Sequence, residues 1–116
     1  MEGEDEIKKA RGILQDYHTT LKGVCALTLF PKDSEEYNQL REIVLKRLGG
    51  IKEANSEKKF AKEYFQYDIS DEEISTLCSL ISDLEKGIDV SKENVRKIQE
   101  RALGIETIVN SNRYIN

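Results

Sequence analysis

The sequence predicts an all-α domain, built as an antiparallel four-helix bundle with an additional C-terminal helix and a short tail. Three observations carry this. Apolar residues recur in steps of three and four along nearly the whole chain, the spacing of a buried helix face. Helix breakers are few, with one Pro and seven Gly in 116 residues. Serines precede three of the periodic stretches and divide the chain into helices at about 4–29, 34–50, 56–67, 71–86 and 92–109. Links this short bring successive helices back antiparallel, and 116 residues hold one core rather than two.

In the first helix Ile7, Ala10, Leu14, Tyr17, Leu21, Val24 and Thr28 form one seam, which Ile13, Cys25 and Leu29 widen. Pro31 ends it, because the residue before a proline is pushed out of the helical region. Asp33 or Ser34 caps the second helix, and Glu35 and Glu36 suit the positive helix N-terminus. Its stripe is Tyr37, Leu40, Val44, Leu48 and Ile51, with Ile43 alongside, and Gly49-Gly50 predicts a frayed end or a kink. The third helix is short. Phe60, Tyr64 and Tyr67 share a face with Phe65 beside them, an aromatic cluster of the kind that packs in a core.

The fourth helix opens on Ser70-Asp71-Glu72-Glu73, a capping box in which Ser70 and Glu73 each satisfy an orphan amide. Ile74, Leu77, Cys78, Ile81 and Leu84 form its apolar face. Gly87 stands where a left-handed exit residue belongs, with Ile88 placed to make the accompanying hydrophobic contact. Ser91 caps the fifth helix, whose stripe is Val95, Ile98, Ala102, Ile105 and Val109. Lys92, Arg96, Lys97 and Arg101 lie largely off that stripe, and NSNRYIN closes the chain.

Net charge is −4 with a pI near 5.1, which argues against general affinity for nucleic acid, where phosphate neutralisation drives binding. The charge is segregated. Residues 1–67 balance 12 acids with 12 bases, residues 68–90 hold seven acids and one Lys (net −6), and residues 91–116 hold five bases and three acids (net +2). Adjacent blocks of opposite sign predict pairing between helices four and five. The opening MEGEDE is acidic where a secretory leader is basic, and VCALTLF is too short to span a bilayer. A cytoplasmic protein is expected. Cys25 and Cys78 have no Cys or His at metal-ligand spacing and both fall on apolar faces. Two buried reduced thiols are expected, with a bridge between packed helices as the alternative.

No catalytic constellation stands out, and no cofactor or metal site is expected. The single histidine, His18, lies in HTTLKG, which resembles the His-x-Leu-Lys-Gly pattern of histidine phosphotransfer domains with its Lys and Gly one residue out of register. A partly exposed His beside Tyr17 is the plainer reading. Paired carboxylates sit at helix starts, where capping explains them. An enzyme is not expected.

The segment GIDVSKENVRKIQERAL resembles the recognition helix of sigma-factor region 4. Helices four and five would then form a helix-turn-helix with Arg96, Lys97 and Arg101 facing DNA. This DNA-binding regulator is the alternative reading, opposed by the acidic outer face of helix four.

Taken end to end, three stretches resemble the pediocin-like (class IIa) bacteriocin immunity proteins. They are the tyrosine-containing SEEYNQLREIVLKRL, then DISDEEISTLCSLISDLEKG with its polar start and Gly exit, then IDVSKENVRKIQERALGIETIVNSNRYIN with a Val-Ser turn, a basic helix and an Arg-Tyr ending. The resemblance implies a cytoplasmic four-helix bundle of a Gram-positive bacterium that protects a producer from its own pore-forming peptide. It implies action on the mannose phosphotransferase permease once the bacteriocin has engaged it, with peripheral membrane contact and a monomer or weak dimer. The C-terminal part would set specificity. That makes Lys97 and Arg101 surface candidates and Asn112, Arg113, Tyr114 and Ile115 tail candidates, Arg and Tyr being enriched at binding hot spots. Docking of the tail onto the bundle would equally explain Tyr114 and Ile115.

Overall fold

Five helices and no strand make up the described part of the chain. The structure is a computed structural model and describes residues 2–110. The helices are α1 (Glu2–Leu27), α2 (Glu35–Glu53), α3 (Asn55–Phe65), α4 (Asp71–Glu85) and α5 (Lys92–Val109).

The 26-residue α1 is the hub. At ~1.5 Å per residue it is about 39 Å long, most of the 49 Å length of a molecule only 24 Å across. It packs along α5, α3 and α2, while α2 also packs on α4. Its acidic opening, Glu4, Asp5 and Glu6, lies at the positive end of its dipole. Ala10, Leu14, Tyr17, Leu21 and Val24 are fully or almost fully buried, as their spacing requires.

Cross-links fix the directions of the helices. Tyr64 on α3 donates a hydrogen bond to Glu6 Oε1 at 2.6 Å, so α3 lies beside the start of α1. Lys32 pairs with Asp89, so the α1–α2 and α4–α5 links meet at the opposite end. Arg41 pairs with Glu85, and Tyr17 with Glu73. The α4 helix therefore runs in the same sense as α1, from the level of Tyr17 towards the links. Both α2 and α5 run against it.

The capping signals act as expected. The Oγ atoms of Ser34, Ser70 and Ser91 accept from the amides of Tyr37, Glu73 and Asn94. Gly87 adopts φ +82, with its amide donating to Leu84 O and that of Ile88 to Asp83 O, closing α4 with a left-handed exit.

Several expectations are corrected. α1 ends at Leu27 rather than 29, and Leu29, expected on the seam, is 82% exposed. Thr28 turns its hydroxyl onto Cys25 O at 2.6 Å. α2 runs unbroken through Gly49-Gly50 to Glu53, because Leu48 and Ile51 are buried on either side and their burial outweighs the weak propensity of two glycines. Ile43 is half exposed. α3 stops at Phe65, where Gln66 takes a left-handed conformation (φ 55) and donates to Lys62 O. Tyr67 is therefore buried from the link and not from the helix, and the buried α3 pair is Ala61 and Phe65, with Phe60 and Tyr64 only partly covered. Ile88 makes no sheltered contact and stays 53% exposed.

Gly23 has a packing role. A Cβ there would stand 2.8 Å from Val44 Cγ2, so the missing side chain lets α1 and α2 close.

Candidate functional site: the open seam between α4 and α5

The α4 and α5 helices are neighbours in sequence and face each other, yet their backbones hardly approach. Between them runs a cleft of ≈ 830 Å³ with Leu21 of α1 at its floor. One end of this seam is closed by a polar cluster. Arg101 Nε donates to Glu73 Oε1 at 3.1 Å and Nη2 to Oε2 at 2.7 Å, a two-pronged pair. The Tyr17 hydroxyl donates to the same Glu73 Oε1. The Arg101 guanidinium lies 4.6 Å from the centre of the Tyr67 ring, within cation–π range.

The cluster has a definite electrostatic character. Burial, then the hydrogen bond and charge of Glu73, raise the Tyr17 pKa, so Tyr17 stays a neutral donor. Burial pushes Tyr67 up to about 12 although the Arg101 charge pulls the other way. Burial disfavours charge on Arg101, but its bonds to Glu73 outweigh this and hold the guanidinium above its ordinary pKa. With an always-charged base and two neutral phenols set around the Glu73 carboxylate, the cluster fastens α1, the α3–α4 link, α4 and α5 to one another.

Arg101, a surface candidate, keeps 41% of its side chain exposed while its guanidinium is turned onto Glu73 and Tyr67. Glu73 was expected to close the capping box, but its carboxylate goes to Arg101 and Tyr17, as a two-pronged bond from a charged guanidinium is stronger than one from a neutral amide. The pairing expected between acidic α4 and basic α5 reduces to this one pair. Asp71 goes to Lys58, Glu85 to Arg41 and Asp89 to Lys32, while Arg96 and Lys97 pair within α5 with Glu100 and Glu93 at 3.8 and 3.9 Å. Lys58, at 2.7 Å, holds the Asp71 carboxyl below its usual pKa.

Lys97 is exposed on the cleft's α5 wall, as expected of a surface candidate. Asn112, Arg113, Tyr114 and Ile115 lie outside the described residues. Cys25 and Cys78 are free and half buried, and burial pushes the Cys25 thiol up, away from the reactive thiolate. His18 is partly exposed, with Nε2 3.6 Å from Glu106 Oε2. Among the described residues no cluster of His, Cys, Asp and Glu could hold a metal ion, and no helix is long and apolar enough to cross a membrane.

Sequence reasoning missed the Glu73–Arg101 clasp, although a signal for it exists. The two residues lie at equal distances in sequence before and after Gly87, so an antiparallel hairpin turning there brings opposite charges to one level. Comparison with protein-family models, with curated proteins and with solved structures finds no match for this chain.

Proposed function

We propose that this chain is an immunity protein of the pediocin-like bacteriocin kind, a binding module that protects a producer cell from its own pore-forming peptide. The observation that carries the reading is a coincidence of place. Two of the three stretches that resemble that family, together running from Asp68 to the C-terminus, contain the α4–α5 hairpin whose seam stays open instead of closing on itself. In this reading the helices form an antiparallel four-helix bundle with an additional C-terminal helix, and α3 is braced against the start of α1. The bundle acts from the cytoplasmic side on the mannose phosphotransferase permease after the bacteriocin has engaged it. Lys97, Arg101 and residues 112–115 supply contacts, Arg101 from the guanidinium that also holds the hairpin through Glu73. Two features suit a protein-facing role: a cleft with an apolar floor, and beside it the exposed Lys97 ammonium, held only by a loose 3.9 Å pair with Glu93.

The test is expression of the full chain in a bacteriocin-sensitive strain, with survival measured against a panel of pediocin-like peptides. Survival against at least one peptide at doses that kill the vector control is expected. Uniform killing across the panel, with the protein present in the cells, overturns the proposal.

A further inference from the structure

The shape and charge of the α4–α5 cleft specify an occupant. Thr76, Leu80 and Asp83 stand in one row along α4 at steps of four and three, and Asn94, Lys97 and Arg101 form the facing row on α5. Side chains at these steps lie one above another on a helix face. Two such ridges flanking a furrow are the geometry into which a third helix lays its own ridge. From Glu73 to Asp83 the furrow runs about 15 Å at ~1.5 Å per residue, close to the length of a three-turn helix. Leu77 and Ile98 form an apolar floor with Leu21 beneath. At the mouth Ile88 is 53% exposed, an apolar side chain left in water where the exit of α4 could have sheltered it.

The rim selects by charge. Arg101 is neutralised by Glu73 at the closed end. Of the remaining charges lining the furrow, Asp83 has no ion-pair partner among the described residues, while Asp89, Glu100 and Lys97 have loose, exposed partners in Lys32, Arg96 and Glu93 at 3.5, 3.8 and 3.9 Å. Such pairs contribute little, so three acids stand against one lysine. Residues 68–90, which form the α4 wall and the link, carry net −6, of which Lys58, Arg101, Arg41 and Lys32 offset four charges. We propose that the α4–α5 furrow is the docking site for a cationic amphipathic helix of a protein partner. Its apolar stripe lies on Leu77, Leu80 and Ile98, and its Lys or Arg flanks meet Asp83 and Glu100. A second copy of this chain would bring net −4 against an acidic rim, and an anionic lipid surface would be repelled. This goes beyond the immunity reading and does not depend on it; a failure here leaves protection of a sensitive strain unaffected.

Three 14-residue fluorescent peptides provide the probe. One is an amphipathic Leu/Lys helix, the second has the same composition scrambled to destroy the stripe, and the third replaces Lys with Glu. Anisotropy titration of the full chain is expected to show binding of the first at least tenfold tighter than of either control. Leu80→Asp and Asp83→Lys, both checked for native helicity by circular dichroism, should each weaken it at least fivefold. Amide chemical-shift changes should concentrate on residues 73–101. No binding, equal binding of the scrambled peptide, or affinity unchanged in folded Leu80→Asp and Asp83→Lys overturns the proposal. So does sedimentation showing that the furrow is closed by self-association that Leu80→Asp abolishes.

Discussion

At the scale of single residues the structure separates two buried tyrosines that the sequence treats alike. The Tyr17 hydroxyl has Glu73 as its acceptor, whereas the Tyr67 hydroxyl is buried with no hydrogen-bond partner among the described residues. A satisfied buried hydroxyl contributes about 1 kcal/mol, and an unsatisfied one costs stability. Tyr17→Phe should therefore lower unfolding stability by about 1 kcal/mol, while Tyr67→Phe leaves it unchanged or raises it, both read from urea denaturation midpoints. Arg101→Ala strands the part-buried Glu73 carboxylate and should cost about 1–2 kcal/mol, since partial exposure tempers the ~3–5 kcal/mol of a fully buried pair. The same tyrosines set the alkaline limit. Unfolded phenols ionise near pH 10, whereas Tyr67 is pushed up to about 12 and Tyr17 is raised as well. A group whose pKa is higher in the folded state gives its full stabilisation below the unfolded pKa and loses it as pH rises. Stability should thus be insensitive to these groups below about pH 9.5 and fall from ~10 towards ~12, by up to ~1.4 kcal/mol per pH unit for each tyrosine. Tyr67→Phe should make the fall shallower in denaturation series run at successive pH values.

At the scale of elements, much was legible because helix boundaries are local chemistry. Ser34, Ser70 and Ser91 cap the helices they precede, and Gly87 ends α4 in the left-handed conformation its position suggested. What could not be read locally depends on partners distant in sequence. Gln66 ends α3 in a conformation that glutamine rarely adopts, so nothing in its identity marks the stop. Gly49-Gly50 suggests a break by propensity, yet Leu48 and Ile51 are buried beside it and the helix persists. Arg101 sits at the flank of the α5 stripe, and only the hairpin register turns it inward. The glycines give a direct test of this division. Gly49 and Gly50 have open space where a Cβ would stand, so alanine at either should stabilise by about 0.5–1 kcal/mol through helix propensity alone. Gly23→Ala would drive a Cβ to 2.8 Å from the buried Val44 Cγ2. Overpacking of ~1–3 kcal/mol should exceed the ~1 kcal/mol propensity gain, and thermal melting should show Tm falling for Gly23→Ala and rising for the other two.

At the scale of the whole molecule, α1 organises a rod in which most interfaces are closed by packing and one is held open. The closed interfaces explain why the chain folds. The open one is clasped at one end by Glu73 and Arg101 and bounded at the other by the Ile88 link. The acidic and basic blocks of the sequence suggested that α4 and α5 neutralise each other. Their charges are instead paired over α2, α3, the α1–α2 link and α5 itself, which leaves Asp83 as the acid on the α4 wall of the seam with no ion pair among the described residues. The central claim is that this C-terminal part of the chain carries protection while the rest of the fold supports it. The most direct measurement is survival of one sensitive strain expressing either the full chain or the chain lacking residues 110–116, under the same pediocin-like peptide, with helicity of both purified proteins compared by circular dichroism. The account predicts protection by the full chain and its loss in the shortened one, at nearly equal helicity. Equal survival with the shortened chain, or none with either, would contradict it.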